Sequence, residues 1–176
     1  MSLIEPPESK MKELISLFDK KNFNELLRLT NELLDKFPKS ILLLNIQGVV
    51  HTELKNYKLA KNLFIKIVNL SPKYTDGYYN LANIFNKLDQ KEKAIENYIK
   101  VIELDKNYFK AHNNLGNIYR KKGLNKKAIE YYVSTLEINS DYKLAYYNLA
   151  GVLQFYIINE ENRNIKTEID GLNKKM

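Results

Sequence analysis

One set of residue types returns every 34 positions along this chain of 176 residues. Ala60, Ala94 and Ala128 keep that step, as do Phe64, Tyr98 and Tyr132, and Leu81, Leu115 and Leu149. Gly48, Ala82, Gly116 and Ala150 form a small-residue series in the same register, and Pro38 and Pro72 add one more interval. A fixed period of this length belongs to stacked supersecondary units, none of which can bury its apolar face alone. It restricts the chain to a repeat architecture, and such architectures work by offering an extended surface to a partner.

Each unit reads as a helix hairpin. Ala60, Leu63, Phe64, Ile67 and Val68 recur at i, i+3, i+4, i+7 and i+8, which makes one apolar helical face. Ala128, Tyr131, Tyr132, Thr135 and Leu136 repeat that face two units later, and Leu81, Phe85 and Leu88 stripe the helix between. Gly48, Ala82 and Gly116 fall where two helices approach most closely, so a bulky side chain there forces them apart. Pro72 cannot continue the helix before it and marks a turn. Lys106 and Ser140 stand at the equivalent later positions, so those turns need another device. No segment of useful length shows strand periodicity, and the expected fold is all-α.

These residues resemble the tetratricopeptide repeat family. The stretch 109–142 carries Leu115, Gly116, Tyr119, Gly123, Ala128 and Tyr132 at the family's offsets. The stretch 75–108 carries Leu81, Ala82, Phe85, Ala94 and Tyr98, with Asp89 in the glycine position. The stretch 41–74 carries Gly48, Ala60, Phe64 and Pro72, with Gln47 for the leucine and His51 for the tyrosine. The resemblance implies a right-handed α-solenoid of stacked antiparallel helix hairpins, a superhelix. Upstream, Leu14, Leu17, Phe18, Leu26, Leu33 and Pro38 suggest a degenerate hairpin over 9–40, with Leu14 where a small residue is expected. Residues 1–8 read as a loose lead-in. The repeat domain spans 9–158, its last part, 143–158, being a first helix alone. In the following polar stretch, 159–176, Asn162 takes the alanine position, although Ile165, Ile169 and Leu172 keep a spacing that suits a short capping helix. Weak end units suit both a capped array and a longer protein that has been cut, and the sequence leaves the two open.

Composition narrows the function classes. The chain has no cysteine, hence no disulfide framework and no thiolate metal site. It shows no cationic start followed by an apolar run, and its longest apolar stretch, near 149–158, is about half of what spans a bilayer. The expectation is a soluble, cytoplasmic protein with no membrane insertion. The net charge is +7, but most lysines alternate with Glu or Asp, as in a solvated surface. The exceptions are Arg120-Lys121-Lys122 with Lys126-Lys127, and Lys174-Lys175. Nucleic-acid binding is not expected, because no nucleic-acid motif accompanies that footprint.

In the resembled family the first helix of each hairpin lines a concave face. Carried over by offset, one column reads Asn80, Asn114 and Asn148, opened by Ile46, and its neighbour reads Asn45, Tyr79, Asn113 and Tyr147. One turn further lie Asn83 and Asn117, with Val49 before them and Gly151 after, and Lys87, Lys110, Arg120 and Asp76 would rim the groove. An asparagine amide offers a donor and an acceptor together, so it can pair with a peptide backbone whatever the side chains. The arrangement resembles the asparagine ladder of O-linked N-acetylglucosamine transferases. The competing reading is that these amides bond to the neighbouring repeat.

The two-carboxylate clamp of chaperone-binding family members is incomplete in both registers tried. Asn45 and Val49 occupy its first positions in one, and Leu144 and Asn148 stand where two cations belong in the other. Catalysis has no support: His51 and His112 sit in separate units at packing positions, and no phosphate loop, nucleophile elbow or metal-spaced set appears. No cofactor is expected. The chain reads as a non-catalytic protein–protein interaction module or scaffold that binds an extended peptide or partner helix in the concave groove. The alternative is the substrate-recruiting repeat region of a larger enzyme, such as a glycosyltransferase, sulfotransferase or oxygenase. A third reading packs end helices around Phe155 and Tyr156 on another copy, and the sequence leaves the oligomeric state open.

Overall fold

A computed structural model describes residues 5–155. Among them are eight complete helices: α1 (Glu8–Asp19), α2 (Phe23–Lys36), α3 (Ile41–Glu53), α4 (Tyr57–Leu70), α5 (Thr75–Lys87), α6 (Lys91–Leu104), α7 (Phe109–Lys121) and α8 (Asn125–Ile138). A ninth, α9, covers 143–155. No strand occurs among the described residues, and the fold is the all-α helix-hairpin repeat that the period predicts. The closing helix expected within 159–176 lies outside the described residues. The chain divides into two compact units, one through Leu104 and the other from Asp105.

In the first unit α1 packs on α2, α3 on α4 and α5 on α6, and α2–α3 and α4–α5 contacts join the hairpins. Leu14, Leu26, Leu29, Leu33, Leu43 and Val50 form its N-terminal core. Leu14 fits there because the exchange of sizes is reciprocal. By register Gly48 faces Phe64, and a Cβ on Gly48 would come within 2.6 Å of that ring. One repeat earlier the large residue is Leu14 and the small one is Thr30, both fully buried. Thr30 satisfies its hydroxyl on the Leu26 carbonyl at 2.8 Å. Gln47 replaces the expected leucine and stays buried because its amide donates to Thr30 Oγ1 and Asn31 Oδ1. Glu5, before α1, is held in place: its carboxylate accepts from Ser40 Oγ and from the Ile41 N–H, at the start of α3.

The turns inside the hairpins share one backbone device. Lys21, Lys55, Asp89 and Gly123, each 34 residues apart, all adopt positive φ, between 55° and 74°. The next residue then reaches back five positions, as in Asn56 N–H to the His51 carbonyl and Leu124 N–H to the Tyr119 carbonyl, at 2.8 and 2.9 Å. This pairing satisfies carbonyls left open at a helix end. Only one of the four residues is glycine, so the helices on either side hold three L-residues in a region that costs roughly 1–2 kcal/mol each.

In the second unit Ala128, Tyr132 and Val152 form a core that Tyr119, Ile129 and Leu149 cover, which joins α7, α8 and α9. The turns without proline use side chains instead. Asp105 Oδ1 accepts from the Asn107 N–H at 2.9 Å, and Asn139 Oδ1 accepts from the Asp141 N–H at 3.1 Å. Such turns stand in for a backbone turn.

His51 gives the first unit a dependence on pH. It occupies the position that Phe85 and Tyr119 hold in later repeats, burial lowers its pKa, and its Nδ1 is buried without a hydrogen-bond partner. The unfolded chain therefore takes up the proton first. Stability is expected to fall as pH drops below about 6.5, the ordinary histidine value. Denaturant midpoints for wild type and His51→Phe between roughly pH 5 and 7 check this. A flatter profile in the variant is the expected result, and parallel profiles would remove His51 as the cause.

Candidate functional site

The amide-bearing faces of the first helices carry the candidate residues, and each unit has its own set. In the first unit Asn45 lies on α3, and Tyr79, Asn80, Asn83 and Lys87 lie on α5. Asn80 Nδ2 donates to Asn45 Oδ1 at 3.1 Å, bridging two consecutive hairpins. Tyr98, fully buried on α6, donates its hydroxyl to Asn83 Oδ1. Its ring also lies 5.9 Å from that of Tyr79. Lys87, in the last turn of α5, is exposed.

The second unit repeats this geometry. Lys110, Asn113, Asn114, Asn117 and Arg120 lie on α7, with Tyr147 and Asn148 on α9. Asn148 Nδ2 donates to Asn113 Oδ1 at 3.2 Å, and the buried Tyr132 donates its hydroxyl to Asn117 Oδ1 at 2.8 Å. Asn113 is 1% exposed, so its part is to orient Asn148. Asn114 is half-buried and has interactions of its own. Burial raises the Tyr132 pKa, while the nearby Arg120 guanidinium opposes that rise. Tyr147 is 75% exposed and Lys110 Nζ lies 5.9 Å from the Phe109 ring centre.

Asn80 and Asn148 thus bond to the neighbouring repeat, Asn83 and Asn117 to a tyrosine of their own hairpin, and those bonds fix which edge of each amide remains. Asn80 and Asn148 spend an N–H and keep the carbonyl as acceptor. Asn117 spends carbonyl capacity on Tyr132 and turns its NH2 edge away as donor. Sequence reasoning placed Tyr98 and Tyr132 in the core and missed their hydroxyls. A signal for them existed: Asn83 and Asn117 each precede a tyrosine by 15 positions, whereas Val49 precedes Phe64, which has no hydroxyl.

Hollows among the described residues add to this surface. One of about 200 Å³, lined by Leu14, Ile15, Phe18, Asn45, Ile46 and Val49, is apolar. One of about 280 Å³ sits beside the stacked Tyr119 and Tyr131 rings and His112. The His112 Nε2–H donates to the Lys106 carbonyl at 3.1 Å, a structural use of the ring. A third, of about 370 Å³, involves Arg120 and Phe155. No group of metal-binding side chains occurs among the described residues, and no helix there is long and apolar enough to cross a membrane.

Residues 82–123 match a family model described as TPR repeat, and residues 109–142 match one described as Tetratricopeptide repeat. No curated protein matches by sequence. Several solved structures share the fold. The crystal structure of MamA is 24% identical with a TM-score of 0.75, covering 91% of this chain and 94% of that one. YrrB, described as a TPR protein with an unusual peptide-binding site, is 20% identical with a TM-score of 0.67, covering 81% and 74%. The first TPR of Spaghetti (RPAP3), bound to the HSP90 peptide SRMEEVD, is 20% identical with a TM-score of 0.64, covering 66% and 93%.

Proposed function

We propose that this chain, which belongs to the tetratricopeptide repeat family, is a non-catalytic interaction module that holds an extended peptide along the amide-bearing faces of its first helices. The observation that carries this reading is the fixed orientation of the amides. Asn80 and Asn148 offer acceptors for peptide N–H groups, and Asn117 offers a donor for a peptide carbonyl. Side chains already held by hydrogen bonds lose little entropy when a flexible ligand docks. Tyr79 and Tyr147 add flat amphipathic area, and Lys87, Lys110 and Arg120 supply charge at the rim. Asn45, Asn83, Asn113 and Asn114 complete the set as positioning or contact residues. The peptide-binding descriptions of YrrB and of the Spaghetti repeat favour the same use of the fold. The chaperone-tail clamp is a different arrangement, since Leu144 replaces one of its cations. Both histidines serve packing, which agrees with a module that does no chemistry.

Affinity capture from a lysate of the source cells tests the reading, with wild type compared with a combined Asn80→Ala, Asn114→Ala, Asn148→Ala variant of equal helicity. Three backbone hydrogen bonds at ~1 kcal/mol each correspond to about a hundredfold loss of affinity. Partners retained by wild type and lost by the variant are expected. Identical capture by both would sink the amide mechanism.

A further inference from the structure

The cavity of about 370 Å³ lies at the turn between α7 and α8, against α9. Arg120 and Lys121 from the last turn of α7, and Asn125 from the first turn of α8, form one wall. Gly151, Val152 and Phe155 of α9 form the other. The first wall is positive: Arg120 and Lys121 line it, and no carboxylate occurs in the sequence from 120 to 127. Among the described residues no carboxylate pairs with Arg120 or Lys121. The opposite wall is apolar, with Phe155 60% exposed. A Cβ on Gly151 would meet nothing within 4 Å, so there is room above the helix for a foreign side chain. Cations at a helix C-terminus are favourable without any ligand. An apolar wall and an open floor beside them are not explained by the helix dipole.

We propose that this cavity takes an acidic peptide segment in which a carboxylate stands beside a large apolar residue. The carboxylate accepts paired hydrogen bonds from the Arg120 guanidinium, with Lys121 adding charge. The apolar side chain lies over Gly151 against Val152 and Phe155. The proposal rests on the reading that the chain binds peptides, and it names the chemistry that would select among them. A phosphate backbone fits less well, because Glu130 and Glu137 on α8 interrupt the basic surface and leave no stripe for it to follow.

Fluorescence anisotropy on the full chain tests this with a labelled Gly/Ser peptide carrying a central Glu-Glu-Phe block. Gln-Gln-Phe and Glu-Glu-Ser peptides and a single-stranded oligonucleotide serve as comparisons. Wild type is expected to bind Glu-Glu-Phe at least about tenfold more tightly than either altered peptide, one strong contact being lost in each. Added salt should weaken that binding. Gly151→Leu fills the floor and favours the helix, so it retains the fold, and it is expected to abolish the preference. Lys121→Glu should weaken binding of the acidic peptides alone. Equal affinity for the three peptides, no binding up to millimolar concentration, tighter binding of the oligonucleotide, or an unaffected Gly151→Leu variant would each overturn the proposal. The triple asparagine variant is measured alongside. Loss there with Gly151→Leu unaffected removes the cavity and keeps the amide reading. Loss in Gly151→Leu with the asparagine variant unaffected does the reverse.

Discussion

Tyr132→Ala is expected to cost the second unit about 3–5 kcal/mol, the range for removing a large aromatic from a packed core. Tyr132 is fully buried and shares its cluster with Ala128 and Val152. Its ring covers Gly116, where even a Cβ would come within 2.6 Å of it. A glycine has no side chain that could relax into the space, so the cavity stays open. Domains of this size are stable by roughly 5–15 kcal/mol, so a large share of the margin goes. Repeat proteins gather their stability from local units and neighbour interfaces. Hydrogen exchange should therefore accelerate most over 109–155. Tyr132→Phe keeps the ring and is expected to cost only about 1 kcal/mol through the bond to Asn117. Urea midpoints for both variants, with exchange rates, check the two effects. An Ala variant as stable as the Phe variant would show that the ring does not support this core.

Gly116→Val is the second large effect. The added side chain must enter the space that the Tyr132 ring fills, and the ring cannot swing aside without breaking its hydroxyl bond to Asn117. Overpacking of this kind typically costs 1–3 kcal/mol. Valine is a better helix former than glycine, which returns a few tenths of a kcal/mol and does not alter the sign. Ala82 takes the same position opposite Tyr98 in the α5–α6 hairpin, where both are buried. Gly116→Ala is therefore expected to be tolerated far better than Gly116→Val. Thermal unfolding of the pair is the measurement, and equal losses would mean that the α7–α8 hairpin cannot adopt the spacing that α5–α6 has.

The helices were legible because their cause is local. An apolar face at 3.6-residue period, a small residue at the crossing and a breaker after the second helix can all be read along the chain. The starts of α3, α5 and α7 at Ile41, Thr75 and Phe109 follow that register. The turn at Asp89 was visible only as a departure from glycine, since the positive φ it accepts is imposed by the helices on both sides. The pairing of Leu14 with Thr30 was likewise invisible position by position. Each residue alone breaks the pattern, whereas by register they stand opposite each other across the α1–α2 hairpin, and both are fully buried.

The candidate surface divides in the same way. Period and residue type alone determined that asparagines repeat on the first helices and that tyrosines fill the second, because both follow from register. Which edge of each amide faces outward was decided by contacts between helices: Asn80 with Asn45, Asn148 with Asn113, and Asn117 with Tyr132. The cavity beside Gly151 likewise exists only once α9 lies against the α7–α8 turn. A hydrogen bond or a hollow depends on distances across the chain, and those are properties of packing that no periodicity encodes.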